Sequence, residues 1–85
     1  MAVNLEVREK LSDDAMVFDN YAYDNSIIGE TFDGRAIYCF EQMVQELMSD
    51  EGFDELEAIE WIEYNTIRSL PYFGDKAPII VHFNE

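Results

Sequence analysis

The chain has 85 residues, with 19 acidic and 5 basic side chains and a formal net charge of -14. This length suits one domain, and a content of 48% hydrophobic and 14% aromatic residues separates the chain from disordered acidic tails. We therefore expect a single folded acidic domain over residues 1–85. Its negative charge disfavours binding to free nucleic acid or to an anionic membrane.

The first 25 residues carry weak structural signals. Residues 5–12 allow a short helix, although residues 3–7 would also suit a strand. The apolar run at residues 15–18 predicts a brief strand, and residues 19–25 are rich in turn-forming types, which favours a loop.

A β-hairpin is predicted next. Residues 26–31 and 35–39 are prone to form strands and flank an Asp33-Gly34 pair. An Asp-Gly pair between two such runs is a strong short-range signal for a hairpin.

The first predicted helix runs from about Phe40 to Met48. Its apolar positions recur with a helical period, and Gly52 is a suitable stop. These positions are Phe40, Met43, Val44, Leu47 and Met48.

A second predicted helix begins near Asp54 and continues to about Leu70. Asp54 and Glu57 resemble a capping box, and Pro71 disfavours helical geometry in the residue before it. The positions expected to follow one face are Leu56, Ile59, Ile62 or Glu63, Thr66, Ile67 and Leu70.

Residues 77–83 contain the β-branched run Ile79-Ile80-Val81 between Pro78 and the chain end, which predicts a closing strand. The expected fold is therefore α+β, with a β-hairpin, two antiparallel amphipathic helices and a C-terminal strand. The helices should pack on one face of a small antiparallel sheet.

The two predicted helices hold the most informative feature of the chain. Nine carboxylates, and no Lys, Arg or His, lie between Arg35 and Arg68. Like charges at helical spacing repel by a few tenths of a kcal/mol per pair, and carboxylates near a helix C-terminus also oppose the macrodipole. Local stability therefore does not account for their placement.

These carboxylates are candidate partner-binding residues. A row of anions, such as Glu57, Glu60 and Glu63, suits a Lys- and Arg-lined groove that binds a nucleic-acid backbone. The simpler alternative is a solvated anionic face. The candidates are Glu41, Glu46, Asp50, Glu51, Asp54, Glu57, Glu60 and Glu63, with Tyr64 beside them.

Metal binding and catalysis have little support. Cys39 and His82 end two predicted strands and are acceptable zinc ligands, but the chain has only one Cys and one His. Packing of both side chains is the simpler interpretation. No nucleophile motif and no glycine-rich phosphate loop is present. We therefore expect no catalytic residues, no bound metal, no cofactor and no enzymatic activity.

A sequence pattern resembles one found in small acidic proteins of bacteriophages, prophages and gut bacteria. It comprises residues 57–72 (EAIEWIEYNTIRSLPY), 77–80 (APII), 23–29 (YDNSIIG) and 34–38 (GRAIY), within a span of roughly 17–83. The resemblance implies a mobile-element setting but transfers no activity residue by residue. Short acidic proteins in that setting often inhibit host nucleases, and anti-CRISPR proteins are the obvious group.

The leading hypothesis is an anionic inhibitor, such as a type II anti-CRISPR protein, that binds a basic nucleic-acid-binding surface of a Cas effector. The alternatives are an acidic regulatory or homodimeric domain, and a small metal-binding module using Cys39 and His82. The single cysteine, the lack of a signal-peptide pattern and the lack of a long apolar run predict a cytoplasmic location. The resemblance implies that the cell is a bacterial host.

Overall fold

The computed structural model describes residue 11 and residues 15–83. The predicted N-terminal helix lies almost entirely outside the described residues. The predicted strand at 15–18 is wrong, because these residues form no strand and the backbone N–H of Phe18 instead donates to the hydroxyl of Tyr38 at 3.2 Å. The predicted loop at 19–25 is largely a 3-10 helix, Tyr21–Ser26, which Asn20 caps by accepting from the N–H of Ala22 at 3.0 Å.

Three strands form one sheet in the order β1-β2-β3. Strand β1 is Ile27–Glu30, β2 is Ala36–Cys39 and β3 is Ile79–Val81. Strands β1 and β2 pair antiparallel as the predicted hairpin, with an irregularity in register between Ile27 and Gly29. Gly34, at φ 84°, makes the turn.

The third strand corrects the predicted sheet. Strand β3 pairs parallel with β2, and Ile37 lies opposite Ile79, so the sheet is mixed and not wholly antiparallel. A parallel pair needs a long crossover, which the two helices between β2 and β3 supply. The predicted α+β class, with helices packed on a small sheet, is confirmed.

Helix α1 spans Phe40–Glu51 and ends at Gly52, whose φ of 73° lies in the left-handed region. Helix α2 spans Glu55–Trp61, and the predicted capping box at its start is present. The chain then continues as a π-helical segment, Ile62–Ile67, and later as a 3-10 segment, Leu70–Lys76. The second predicted helix therefore has nearly the predicted extent, but its second half has a wider turn.

The core lies between the helices and the sheet. Tyr38, Met43, Leu47 and Ile62 are fully buried there. Along α2 and the π segment the buried positions are Ala58, Ile62 and Thr66, whereas Leu56 is 64% exposed. The predicted apolar stripe was therefore wrong at Leu56. The face that packs toward α1 consists of residues spaced four apart and begins at the small residue Ala58.

A buried hydroxyl pair joins the 3-10 helix to the π segment. The hydroxyl of Tyr23 lies 2.9 Å from Oγ1 of Thr66, and both side chains are buried. This hydrogen bond satisfies two polar groups that would each be unfavourable in an apolar core. Within the described residues, no helix has the length and apolar character needed to span a membrane.

Candidate partner-binding surface

An open groove of about 410 Å³ lies along the outer side of α2 and the start of the π segment. Its walls combine aromatic rings with carboxylates, and Trp61 and Tyr64 are 45% and 71% exposed. We call this surface the aromatic-acidic groove. It is lined by Phe53, Glu57, Glu60, Trp61, Tyr64 and Asn65.

Helical spacing brings these side chains together. Glu57 and Trp61 are four residues apart, as are Glu60 and Tyr64, and such pairs are neighbours on a helix surface. The capping box holds the first turn in place, because Asp54 accepts from the N–H of Glu57 at 2.8 Å and Glu57 accepts from the N–H of Asp54 at 3.0 Å. The capping box therefore fixes the conformation of the first turn of α2, which carries Glu57.

The positions of several carboxylates within the helices show that local stability does account for part of their placement. This corrects the expectation from the sequence. Asp54, Glu55 and Glu57 lie at the N-terminus of α2, and Glu41 lies in the first turn of α1. Negative side chains at these positions interact favourably with the helix macrodipole. The placement that opposes the macrodipole is limited to the C-terminal turn of α1, where Asp50 and Glu51 lie.

The side chain of Trp61 interacts with Phe53 and with the buried hydroxyl of Tyr23. Its ring lies 5.7 Å from the ring of Phe53, centre to centre. Burial raises the pKa of the Tyr23 hydroxyl and the nearby charge of Glu51 adds to this, while hydrogen bonds with Thr66 and with Trp61 act in the opposite direction.

Two further contacts order the groove. The side-chain amide of Asn65 donates to the carbonyl oxygen of Trp61 at 3.2 Å. The guanidinium carbon of Arg68 lies 4.6 Å from the centre of the Tyr64 ring, within the range of a cation-π interaction. Tyr64 therefore already carries a guanidinium group on one of its faces.

Glu41 has a different role from the other predicted binding residues. Its carboxylate lies 2.7 Å from Nδ1 of His82 and accepts from the N–H of Phe83 at 2.7 Å. These hydrogen bonds, the one from Phe83 first, lower the pKa of Glu41 from 4.5 to about 2. Glu41 therefore fastens the segment after β3 to the start of α1.

This contact predicts a specific pH dependence. Because the carboxyl group of Glu41 has a lower pKa in the folded chain, its contribution to the free energy of unfolding is full above pH 4.5 and disappears as the pH falls to about 2. The contribution should be modest, since the side chains of Glu41 and His82 are 50% and 69% exposed. In an E41Q variant, the NMR signals of His82 and Phe83 should lose their pH dependence in this acid range. A Glu41 carboxyl signal that titrates near pH 4.5 in the wild-type protein would contradict the contact.

The remaining predicted carboxylates are spread over several surfaces. Glu46 accepts from the side-chain amide of Gln42 at 3.1 Å on α1. Glu63 lies away from the aromatic-acidic groove and lines a second groove with Phe40, Ile67 and His82. In an α-helix, each three-residue step falls about 60° short of a full turn, so a row with this spacing turns around the helix axis and does not stay on one face. The predicted row of Glu57, Glu60 and Glu63 is therefore only partly brought together.

Cys39 and His82 are linked through Glu41. The thiol of Cys39 is buried, and its Sγ lies 3.8 Å from one oxygen of the Glu41 carboxylate, whose other oxygen meets His82. Among the described residues, no set of three His, Cys, Asp or Glu side chains converges on a point where a metal could bind.

Searches against protein-family models, curated proteins and solved structures find no match to this chain. The candidate surface therefore rests on its own geometry.

Several groove residues were not among the predicted site residues. Phe53, Trp61 and Asn65 line the groove, and Arg68 contacts it through Tyr64. The spacing of Trp61, four residues after Glu57 and three before Tyr64, was a signal that could have placed its ring beside these predicted residues. Phe53 could not have been found in this way, because it lies in the connection before α2.

Proposed function

We propose that the protein is a non-catalytic anionic inhibitor that binds a basic nucleic-acid-binding surface of a bacterial defence nuclease. A type II Cas effector is the candidate target, and the protein would block its loading with DNA or its activation. The observation that carries this proposal is the aromatic-acidic groove, where Glu57 and Glu60 stand beside the exposed rings of Trp61 and Tyr64.

The composition of the groove supports a protein partner. Trp and Tyr are enriched at protein interfaces and at the positions that contribute most to affinity. An exposed Trp at the centre of an anionic surface is unusual for a face that only keeps a protein soluble. The combination supplies apolar contact area and electrostatic attraction in the same place.

Inhibition would be steric and electrostatic. The carboxylates of α2, together with Asp50 and Glu51 at the end of α1, would steer a basic surface toward the groove and speed association. Contacts with Trp61 and Tyr64 would then slow dissociation. A nucleic acid could not enter the surface occupied by the inhibitor, since both would use the same Lys and Arg side chains.

The proposal predicts strong salt dependence. We expect the protein to prevent guide-loaded type II Cas effectors from binding target DNA, with an affinity that falls by about tenfold or more between about 50 and 200 mM salt. The measurement is a DNA-binding assay with increasing inhibitor concentration at several salt concentrations. Light scattering of the isolated protein under the same conditions would separate inhibition from self-association.

Two outcomes would contradict the proposal. Unchanged DNA binding by every effector at low salt would remove the inhibitor function. Inhibition that does not respond to salt would instead show that the carboxylates do not drive association.

A further inference from the structure

We propose that the aromatic-acidic groove binds an arginine side chain of the protein partner and prefers it to lysine. The guanidinium group would stack on the exposed rings of Trp61 and Tyr64 and pair with Glu57 or Glu60. This inference rests on the proposed function, because it specifies which group on the basic partner makes the central contact.

The groove offers the two kinds of contact that a guanidinium group can use together. Its plane stacks on aromatic faces, and its N–H groups can donate two parallel hydrogen bonds to one carboxylate. Glu57 and Glu60 each stand four residues before a ring, at Trp61 and Tyr64. A lysine ammonium group is compact and strongly hydrated, so it gains less from such a surface.

The fold itself places a guanidinium group over one of the two rings. Arg68 lies 4.6 Å from the centre of the Tyr64 ring, although both side chains are exposed and the contact is not enforced by packing. The ring of Trp61 remains 45% exposed, with Phe53 against it at a ring distance of 5.7 Å. Aromatic surface is therefore left for a second guanidinium group.

The carboxylates of the groove retain hydrogen-bonding capacity. Glu57 uses one oxygen, Oε1, to accept from the N–H of Asp54, and a carboxylate offers about four acceptor sites. Asn65 donates one N–H of its amide to the carbonyl oxygen of Trp61, and this side chain adds no charge to the groove. The charge of the groove is accordingly negative, which excludes acidic peptides and nucleic acids as occupants and opposes a second copy of a chain with a net charge of -14.

Trp61 is the only tryptophan of the chain and lines the groove, so its fluorescence reports binding there directly. The experiment titrates the full chain with two blocked peptides of equal length and charge, one alternating glycine with arginine and the other glycine with lysine. We expect the arginine peptide to change the emission of Trp61 and to bind about fivefold to tenfold more tightly. Equal affinities, or binding that leaves the emission unchanged, would overturn the inference.

A variant tests the aromatic contribution separately from charge. Replacing Tyr64 by leucine (Y64L) removes a ring that is 71% exposed, so the fold should persist, which circular dichroism can verify. The preference for arginine should fall but not vanish, because the ring of Trp61 remains, while affinity for the lysine peptide should change little. A preference that is unchanged in Y64L would show that the Tyr64 ring does not contribute to it, and would overturn the inference.

The two proposals can fail separately. If wild-type protein shows no arginine preference but still blocks DNA loading in a salt-dependent manner, only the arginine contact is lost. If the arginine preference is present and no effector is inhibited, the groove is supported as an arginine site and the proposed function is wrong.

Discussion

Replacing Glu57 and Glu60 together by glutamine (E57Q/E60Q) is expected to weaken binding to a Cas effector by about thirtyfold. Each change removes a charge-assisted contact worth roughly 1 kcal/mol at a partly desolvated interface, and about 2 kcal/mol corresponds to that factor. Inhibition of DNA loading at fixed salt gives the measurement. The double variant should also show a weaker dependence on salt than the wild-type protein.

The fold should tolerate these changes. A glutamine at position 57 can still accept the hydrogen bond from the N–H of Asp54, as in other capping boxes. Loss of the favourable macrodipole interaction should be about 0.3–1 kcal/mol, and relief of repulsion between positions 57 and 60 should partly offset it. Thermal unfolding followed by circular dichroism would verify that the effect on binding is not an effect on folding.

Two matched controls isolate the groove from net charge. The D19N/D75N double variant makes the same change in net charge at exposed positions outside both helices. The E63Q variant neutralises a carboxylate on the same stretch of chain that lines the second groove instead. Both should retain most of the wild-type affinity. If D19N/D75N loses as much affinity as E57Q/E60Q, overall charge and not the groove determines binding.

The features predicted correctly from the sequence depend on residues close together in the chain. The Asp33-Gly34 turn, the stop at Gly52 and the capping box of Asp54 and Glu57 are each specified by a few neighbouring residues. Their local hydrogen bonds and backbone preferences do not depend on distant packing. This is why the hairpin, the start of α2 and the stop after α1 were predictable.

The features that were missed depend on distant parts of the chain. Strand β3 pairs parallel with β2 because the helices bring it back along the same direction, and its three-residue length gives no signal of orientation. The π geometry of Ile62–Ile67 accompanies burial of Ile62 and Thr66 against the core, where Thr66 meets Tyr23. Periodicity at 3.6 residues cannot anticipate such a change.

The candidate site was likewise predicted only in part from the sequence. The charge pattern identified Glu57 and Glu60, and Tyr64 was named beside them as an interface residue; all three line the groove, but the eight candidate carboxylates were treated as one surface. Packing separates them, since Glu41 is engaged with His82 and Glu63 faces another groove. Whether any of them binds a partner stays a prediction. Their arrangement limits the predicted partner-binding surface to the groove around Trp61.

Replacing Ile62 by alanine (I62A) is expected to destabilise the domain by about 2–4 kcal/mol, because Ile62 is fully buried and its truncation leaves a cavity in the core. A domain of this length has a total stability of roughly 4 to 13 kcal/mol. The midpoint of thermal unfolding should therefore fall by about 10 °C or more. Calorimetry or circular dichroism gives the measurement.

The position of Ile62 connects the expected loss of stability in I62A to the aromatic-acidic groove. Its backbone N–H donates to the carbonyl oxygens of both Ala58 and Ile59, at the point where α2 passes into the π segment. Trp61 and Tyr64 stand on either side of it, so a loosened core at Ile62 should alter the emission of Trp61 before global unfolding. Leu56 supplies the matched control, since it lies on the same helix but is 64% exposed. An L56A variant should lose less than about 0.5 kcal/mol, and a loss equal to that of I62A would show that the buried face of α2 has been misassigned.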